Sequence, residues 1–218
     1  MGRILAINLA VPEPSDAKGL GTTGINKQPV RGPVLLRAPG ARTTGLGSGA
    51  VGDRIFDVRH HGGNDQAVYA YAWEDYDWWE GKLGRALPGG LFGENLTTEG
   101  VDVNGALVGE RWRIGQDVVL QAALPRIPCN TFAVKMAEPQ WIKTFTEQAR
   151  PGSYLRVVEP GYVRAGDEIT VVHRPRHDLS IAELFRALTT EPDLLPKIVG
   201  IQEVPAWLRV KTLRRLGG

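Results

Sequence analysis

One cysteine, Cys129, stands in a chain of 218 residues, so no disulfide can form within it and the disulfide-stapled secreted folds are excluded. A reducing, cytoplasmic setting is the expected one. Long apolar runs are missing as well: Ile4-Leu5-Ala6-Ile7 is broken at Asn8 and ends near Pro12, too short for a signal-peptide core or a membrane span, so no membrane partner is expected. Neither sign of charge dominates, because 26 basic and 24 acidic side chains mix along the chain without a basic block, which removes nucleic acid from the expected partners. Zinc-site spacing is scarce too, since apart from His61 with Asp65 no combination of His and Cys supplies three or four ligands. Flavin, haem and iron–sulfur motifs are absent.

What the chain has is punctuation. Its 27 glycines and 15 prolines divide it into short apolar or alternating runs, the pattern of strands on short connections, and the class expected is mainly β (α+β), closed or nearly closed into a barrel. The strands predicted are 3–10, 25–30, 33–37, 53–59, 66–71, 111–114, 117–123, 154–158 and 168–173. Peripheral helices are predicted over 73–83, with Trp73, Tyr76 and Trp79 as a core-facing stripe, and over 138–148, with Pro139 at the first helical position. After residue 176 the texture turns helical: Ser180 to Glu183 is a capping box, followed by Ile181, Leu184, Phe185 and Leu188 at helical spacing. Two more short helices are expected over 193–199 and 205–213. The organisation predicted is a barrel over 1–176 and a small helical subdomain over 177–218, in a chain long enough to bury roughly 70% of its unfolded surface.

Three loops carry chemistry-bearing residues. Gly47 to Gly52 matches G-x-G-x-x-G by spacing, but it follows a Pro/Gly/Thr loop and precedes a strand-like run, the wrong context for a dinucleotide fingerprint. His60-His61-Gly62-Gly63-Asn64-Asp65 offers two imidazoles and a carboxylate beside glycines that let a backbone approach a ligand, or is a tight turn whose glycines serve their own backbone angles. Pro125-Arg126-Ile127-Pro128-Cys129 holds the thiol on a stiff turn, as a metal ligand, a nucleophile or an inert buried side chain. A Cys/His hydrolase built from Cys129, His61 and Asp65 is weakened by the missing helix N-terminus, and sequence does not place His61 beside the sulfur.

In order along the chain stand Gly52-Asp53, His61-Gly62-Gly63-Asn64-Asp65 with Ala67-Val68-Tyr69, Phe92-Gly93-Glu94-Asn95-Leu96, Ile114-Gly115, the Cys129 turn, Gly152-Ser153-Tyr154-Leu155-Arg156-Val157 and Gly166-Asp167. This ordered set resembles the MOSC family, the domain named for the C-terminal part of molybdenum-cofactor sulfurases, and within it the bacterial stand-alone YiiM-type subgroup. The likeness runs from about Gly24 to His173, and the helical tail is similar to that subgroup's three-helix extension. The resemblance implies a β-barrel that binds a molybdenum cofactor (a molybdenum pyranopterin), with Cys129 as thiolate ligand to the metal. Arg126, Arg156 and Lys27 are the candidates for its phosphate, and Asn95, Gly62 and Gly63 would also lie at the cofactor.

The reaction implied is reductive removal of hydroxyl oxygen from N-hydroxylated compounds, such as purine base analogues. His61, oriented by Asp65, would deliver the proton, and Glu94 and Asn95 would read polar atoms of substrate or pterin. Electrons would come from a separate reductase. Two alternatives stay open: a sulfur carrier that uses a Cys129 persulfide, and a non-catalytic cofactor carrier that needs Cys129 but not His61 or Asp65. A homodimer packed through the helical tail is also expected.

Overall fold

The computed structural model describes residues 2–19 and 21–217. Its strands are β1 (Gly2–Ala10), β2 (Glu13–Ser15), β3 (Gly21–Thr23), β4 (Lys27–Pro29), β5 (Val34–Leu36), β6 (Val68–Ala72), β7 (Leu96–Glu99), β8 (Arg111–Ile114), β9 (Val118–Pro125), β10 (Ser153–Glu159), β11 (Gly161–Val163) and β12 (Glu168–His173). Its helices are α1 (Trp73–Leu83), α2 (Asn130–Met136), α3 (Trp141–Gln148), α4 (Ile181–Thr189), α5 (Leu195–Val199) and α6 (Ala206–Leu216).

Seven strands close a mixed barrel in the order β1, β7, β6, β10, β9, β8, β12 and back to β1. Every pair is antiparallel except β6 with β7, and α1 is the crossover that a parallel neighbour requires. The open end of β1 continues past the ring to pair with β4. Side-chain alternation explains why β6 is buried throughout. Val68, Ala70 and Ala72 belong to the main aliphatic core, while Tyr69 and Tyr71 face a second, aromatic one. That second core joins the barrel to α1, α2 and α3 through Tyr76, Trp79, Phe92, Phe132, Trp141 and Phe145. Phe92 stacks on Tyr71 with centroids 4.3 Å apart and planes 12° from parallel, an arrangement worth about 0.5–1.5 kcal/mol beyond area burial.

The C-terminal helices share the barrel's core. Leu184, Leu195, Ile198 and Leu208 pack in the same cluster as Leu120 and Leu155. Ser180 Oγ accepts the Glu183 N–H at 3.1 Å and starts α4, as the capping box predicts. Pro205 precedes α6 as its N-cap, one place earlier than the first helical position.

Four local expectations are corrected. The run 53–59 is not a strand. Gly52 has φ 94°, the Asp53 N–H bonds the Ala50 carbonyl, and the Asp57 carbonyl accepts the N–H groups of His60 and His61, so turns at both ends take backbone groups that a ladder needs. β7, where no strand was predicted, is an interior strand paired on both sides. A helix, α2, lies where none was predicted; seven residues are too few to show a period, although Phe132 and Met136 at i, i+4 are its buried face. The next helix starts at Trp141 instead of 138, because Gln140 takes φ 53° and leaves Pro139 outside.

Candidate functional site

Cys129 is held by backbone on both sides. The proline turn leaves β9, and at Cys129 the chain, still extended at φ −136°, becomes the N-cap of α2, whose Ala133 N–H bonds the Cys129 carbonyl at 3.0 Å. The sulfur is half-buried and borders a small cleft of about 120 Å³ that opens to solvent. Burial opposes ionisation of the thiol. A hydrogen bond with His61, the charge of Arg126 and the Phe132 N–H outweigh it and bring its pKa down from 9.0 to about 6. At neutral pH the sulfur is mainly thiolate. The short helix that sequence reading missed therefore contributes to this acidity.

Arg126 is buried in the wall. Its guanidinium donates to the Phe92 carbonyl and lies 3.9 Å from the Phe132 ring centroid and 5.4 Å from that of Tyr69. No carboxylate pairs with it among the described residues, so its charge is answered by the thiolate and by aromatic faces. Lys27, also buried, lies 2.5 Å from Asp53. Asp53 further accepts from Ser48 Oγ at 2.8 Å and Asn95 Nδ2 at 3.0 Å. Burial works against its charge, yet Lys27 and these donors hold its carboxyl below the usual carboxylate range. Tyr69 and Tyr154 face each other across β6 and β10, ring centroids 5.0 Å apart, and burial keeps both phenols protonated. Gln66 completes the wall with a buried Oε1 that has no hydrogen-bond partner among the described residues.

The MOSC domain family model matches residues 57–170, the stretch that carries His61, Asn95, Arg126 and Cys129. The chain belongs to the MOSC family. It is 32% identical to the uncharacterized protein YflK of Bacillus subtilis (strain 168), over 82% of this chain and 76% of that one. It is 29% identical to a protein named reductase from Gibberella moniliformis over 77% of this chain, which spans only 28% of that longer protein. The crystal structure of YiiM from Geobacillus stearothermophilus has the same fold, with TM-score 0.78 and 27% identity over 99% of this chain and 100% of that one.

Within this MOSC barrel the residues singled out from sequence divide. Cys129, His61, Arg126, Lys27, Asn95 and Gly62 all border the cleft. Asn95 is already engaged: its Oδ1 accepts the Tyr69 N–H and its Nδ2 donates to Asp53 and the Asn8 carbonyl, so it braces the wall. Gly62 and Gly63 take φ 89° and 82°, and a Cβ would approach the Gly47 carbonyl and the Arg42 backbone to 3.0 Å, so they serve turn geometry and loop-on-loop contact.

Four residues lie outside the cleft, Gly63 and three others. Asp65 does not orient His61: its two oxygens accept from Arg156 Nε at 2.8 Å and Trp207 Nε1 at 3.0 Å. Arg156 is spent on Asp65, Gln121 and the Glu203 carbonyl, away from any phosphate in the cleft. Glu94 is turned into the aromatic core, where Tyr76, Thr97 and the Gly90 N–H donate to Oε1 and burial raises its pKa. Sequence reading gave no role to Asp53, Tyr69, Tyr154 or Gln66. Tyr69 and Tyr154 were within reach of pattern alone, since each sits in a quoted motif on a strand, but only the register of β6 against β10 sets them side by side.

Proposed function

We propose that the protein is a molybdenum-cofactor-dependent reductase of N-hydroxylated compounds, with Cys129 as thiolate ligand to the metal. The observation that carries this reading is the acidic, half-buried thiol at the cleft wall with His61 bonded to it and Arg126 beside it. The residues fit such a cofactor. One soft donor is ionised, one buried cation lacks a carboxylate partner among the described residues, and one unpartnered amide oxygen borders the same cleft. Among the described residues no group of three His, Cys, Asp or Glu could hold a metal, so the remaining ligands would come from the cofactor itself.

When bound, the cofactor would supply two-electron chemistry that removes oxygen from an N–OH group. The chain's own residues then have separable tasks. Cys129 holds the metal at one position because the proline turn and α2 fix its backbone. Arg126 keeps the sulfur ionised and presents positive charge to the pterin's phosphate or to the substrate. His61 holds a proton beside the sulfur and passes it to the departing hydroxyl. Tyr69 and Tyr154 remain neutral and wall the cleft, Tyr69 with its hydroxyl spent on the Pro151 carbonyl. Support from outside the chain is the reductase name of one relative, and that name belongs to a much longer protein.

The test is purification from a host that makes the cofactor, assay of bound molybdenum, and turnover of an N-hydroxylated purine base with a chemical reductant. Cys129→Ala should abolish metal retention. His61→Ala should keep the metal and lower turnover by about 100-fold or more. Undiminished turnover in Cys129→Ala sinks the reading, and metal without turnover in the unmodified protein favours a cofactor carrier. The acidic thiol would equally suit a persulfide, so sulfur released from Cys129 by a thiol reductant would move the assignment to sulfur transfer.

A further inference from the structure

We infer that the groove between α6 and the Pro125–Cys129 turn is the docking surface for an acidic electron-carrier protein. This rests on the reductase reading, since only a reaction that consumes electrons needs such a partner. The balance is fixed by the chemistry: R–NHOH with two electrons and two protons gives R–NH2 and water, and the two electrons arrive from two carrier molecules, each oxidised by one.

A carrier must come near the Cys129 cleft without covering the mouth through which substrate enters. The groove meets that requirement. Gln66 lines both the cleft and the groove, so the two are separated at that point by one side chain. Ile127, two residues before Cys129 on the same stiff turn, forms the other wall.

The chemistry of the surface names the partner. α6 carries four cations, Arg209, Lys211, Arg214 and Arg215, and no Asp or Glu occurs anywhere in residues 204–218. A chain with a net charge of only +2 therefore concentrates cations on this helix, and the carboxylate that Trp207 bonds, Asp65, is itself paired with Arg156. Lys211 and Arg215 rim the groove, and neither has an ion-pair partner among the described residues. Arg42 adds a cation 5.8 Å from the Trp207 ring. At the centre stand Trp207 and Ile127, 44% and 45% exposed; the Trp207 Nε1 is bonded to Asp65, which fixes the ring while leaving much of it open to solvent. An aromatic anchor within a cationic rim suits a weak, fast-exchanging complex, in which opposite charge steers encounter and a small apolar contact orients it.

The cofactor-loaded protein is assayed with an N-hydroxylated purine base and two donors, reduced methyl viologen and reduced flavodoxin, the latter a small acidic flavin protein. With flavodoxin, kcat/KM should fall about tenfold or more as salt rises from about 0.01 M to about 0.15 M, where the screening length shrinks from about 30 to about 8 Å. Lys211→Glu/Arg215→Glu should lower that kcat/KM by a similar factor at low salt and leave the viologen-driven rate unchanged. Binding of flavodoxin to the cofactor-free protein, followed by flavin fluorescence anisotropy, should weaken in the same proportion. Equal kcat/KM in the variant, salt-independent flavodoxin turnover, or viologen turnover without flavodoxin turnover would overturn the docking surface alone. So would a dimer of the unmodified protein that the double variant dissociates, because the groove would then be a subunit contact. Failure with viologen as well removes the reductase reading itself.

Discussion

His61 and Asp65 sit four residues apart on one turn, yet the first borders the Cys129 cleft and the second is bonded to Arg156 and Trp207 on the side of the C-terminal helix. The left-handed glycines between them let the chain reverse direction, so neighbours in sequence become walls of two different spaces. On the cleft side, charge is buried and compensated at short range: Lys27 against Asp53, Arg126 against thiolate and rings. On the tail side, the Asp65–Arg156 pair is partly exposed and joins the turn to β10, and Trp207 of α6 bonds the same carboxylate. Similar residue types thus do different things because the dielectric around them differs. The cleft side tunes a reactive group, and the tail side fastens an appendage.

The largest break in this comparison should come from Lys27→Met. Asp53 would stay buried without its cation, and chemical denaturation should report a loss of about 3–5 kcal/mol, most of it recovered in Lys27→Met/Asp53→Asn, which removes both charges. Equal losses in the single and double variants would show that packing, not charge, is at stake. The second experiment sharpens the cleft side. The rate of Cys129 alkylation by iodoacetamide should be half-maximal near pH 6, and His61→Ala should move that midpoint up toward the ordinary thiol value of 9.0. The sign for stability follows. The folded thiol is more acidic than the unfolded one, so its contribution is absent below about pH 6, grows as pH rises to 9.0, and is complete above it. A Cys129→Ser variant should therefore lose stability relative to the parent across that window. The smallest effect is expected on the tail side. Trp207→Phe removes one donor to a partly exposed carboxylate and should cost under about 1 kcal/mol, seen as faster amide exchange in α6, with the Cys129 alkylation midpoint unchanged. A shifted midpoint would mean that the two sides are coupled through the turn.

Much of the barrel was legible because alternation and punctuation are local signals. β1, β8 and β12 lie where period-two runs are bounded by glycine and proline, α1 where an aromatic stripe has helical spacing, and α4 where capping box and helical spacing agree. α2 and β7 were not, since one is too short to show a period and the other is recognisable as interior only through its partners on both sides. The site divides the same way. Cys129, Arg126 and His61 could be named from residue type and motif order. Glu94 and Arg156 were assigned to a ligand, although their partners are Tyr76, Thr97, Gln121 and Asp65, residues up to 91 positions distant.

By itself the sequence determined the class of fold, the position of the single thiol on a stiff turn, and the set of polar residues from which a site could be drawn. Those are consequences of backbone stereochemistry and local hydrophobic period, which act over a few residues. Tertiary structure alone decided which polar groups face open space and which satisfy one another. A buried donor or acceptor takes whatever partner the closed barrel brings within 3 Å, and that partner is set by strand register and loop packing across the whole chain.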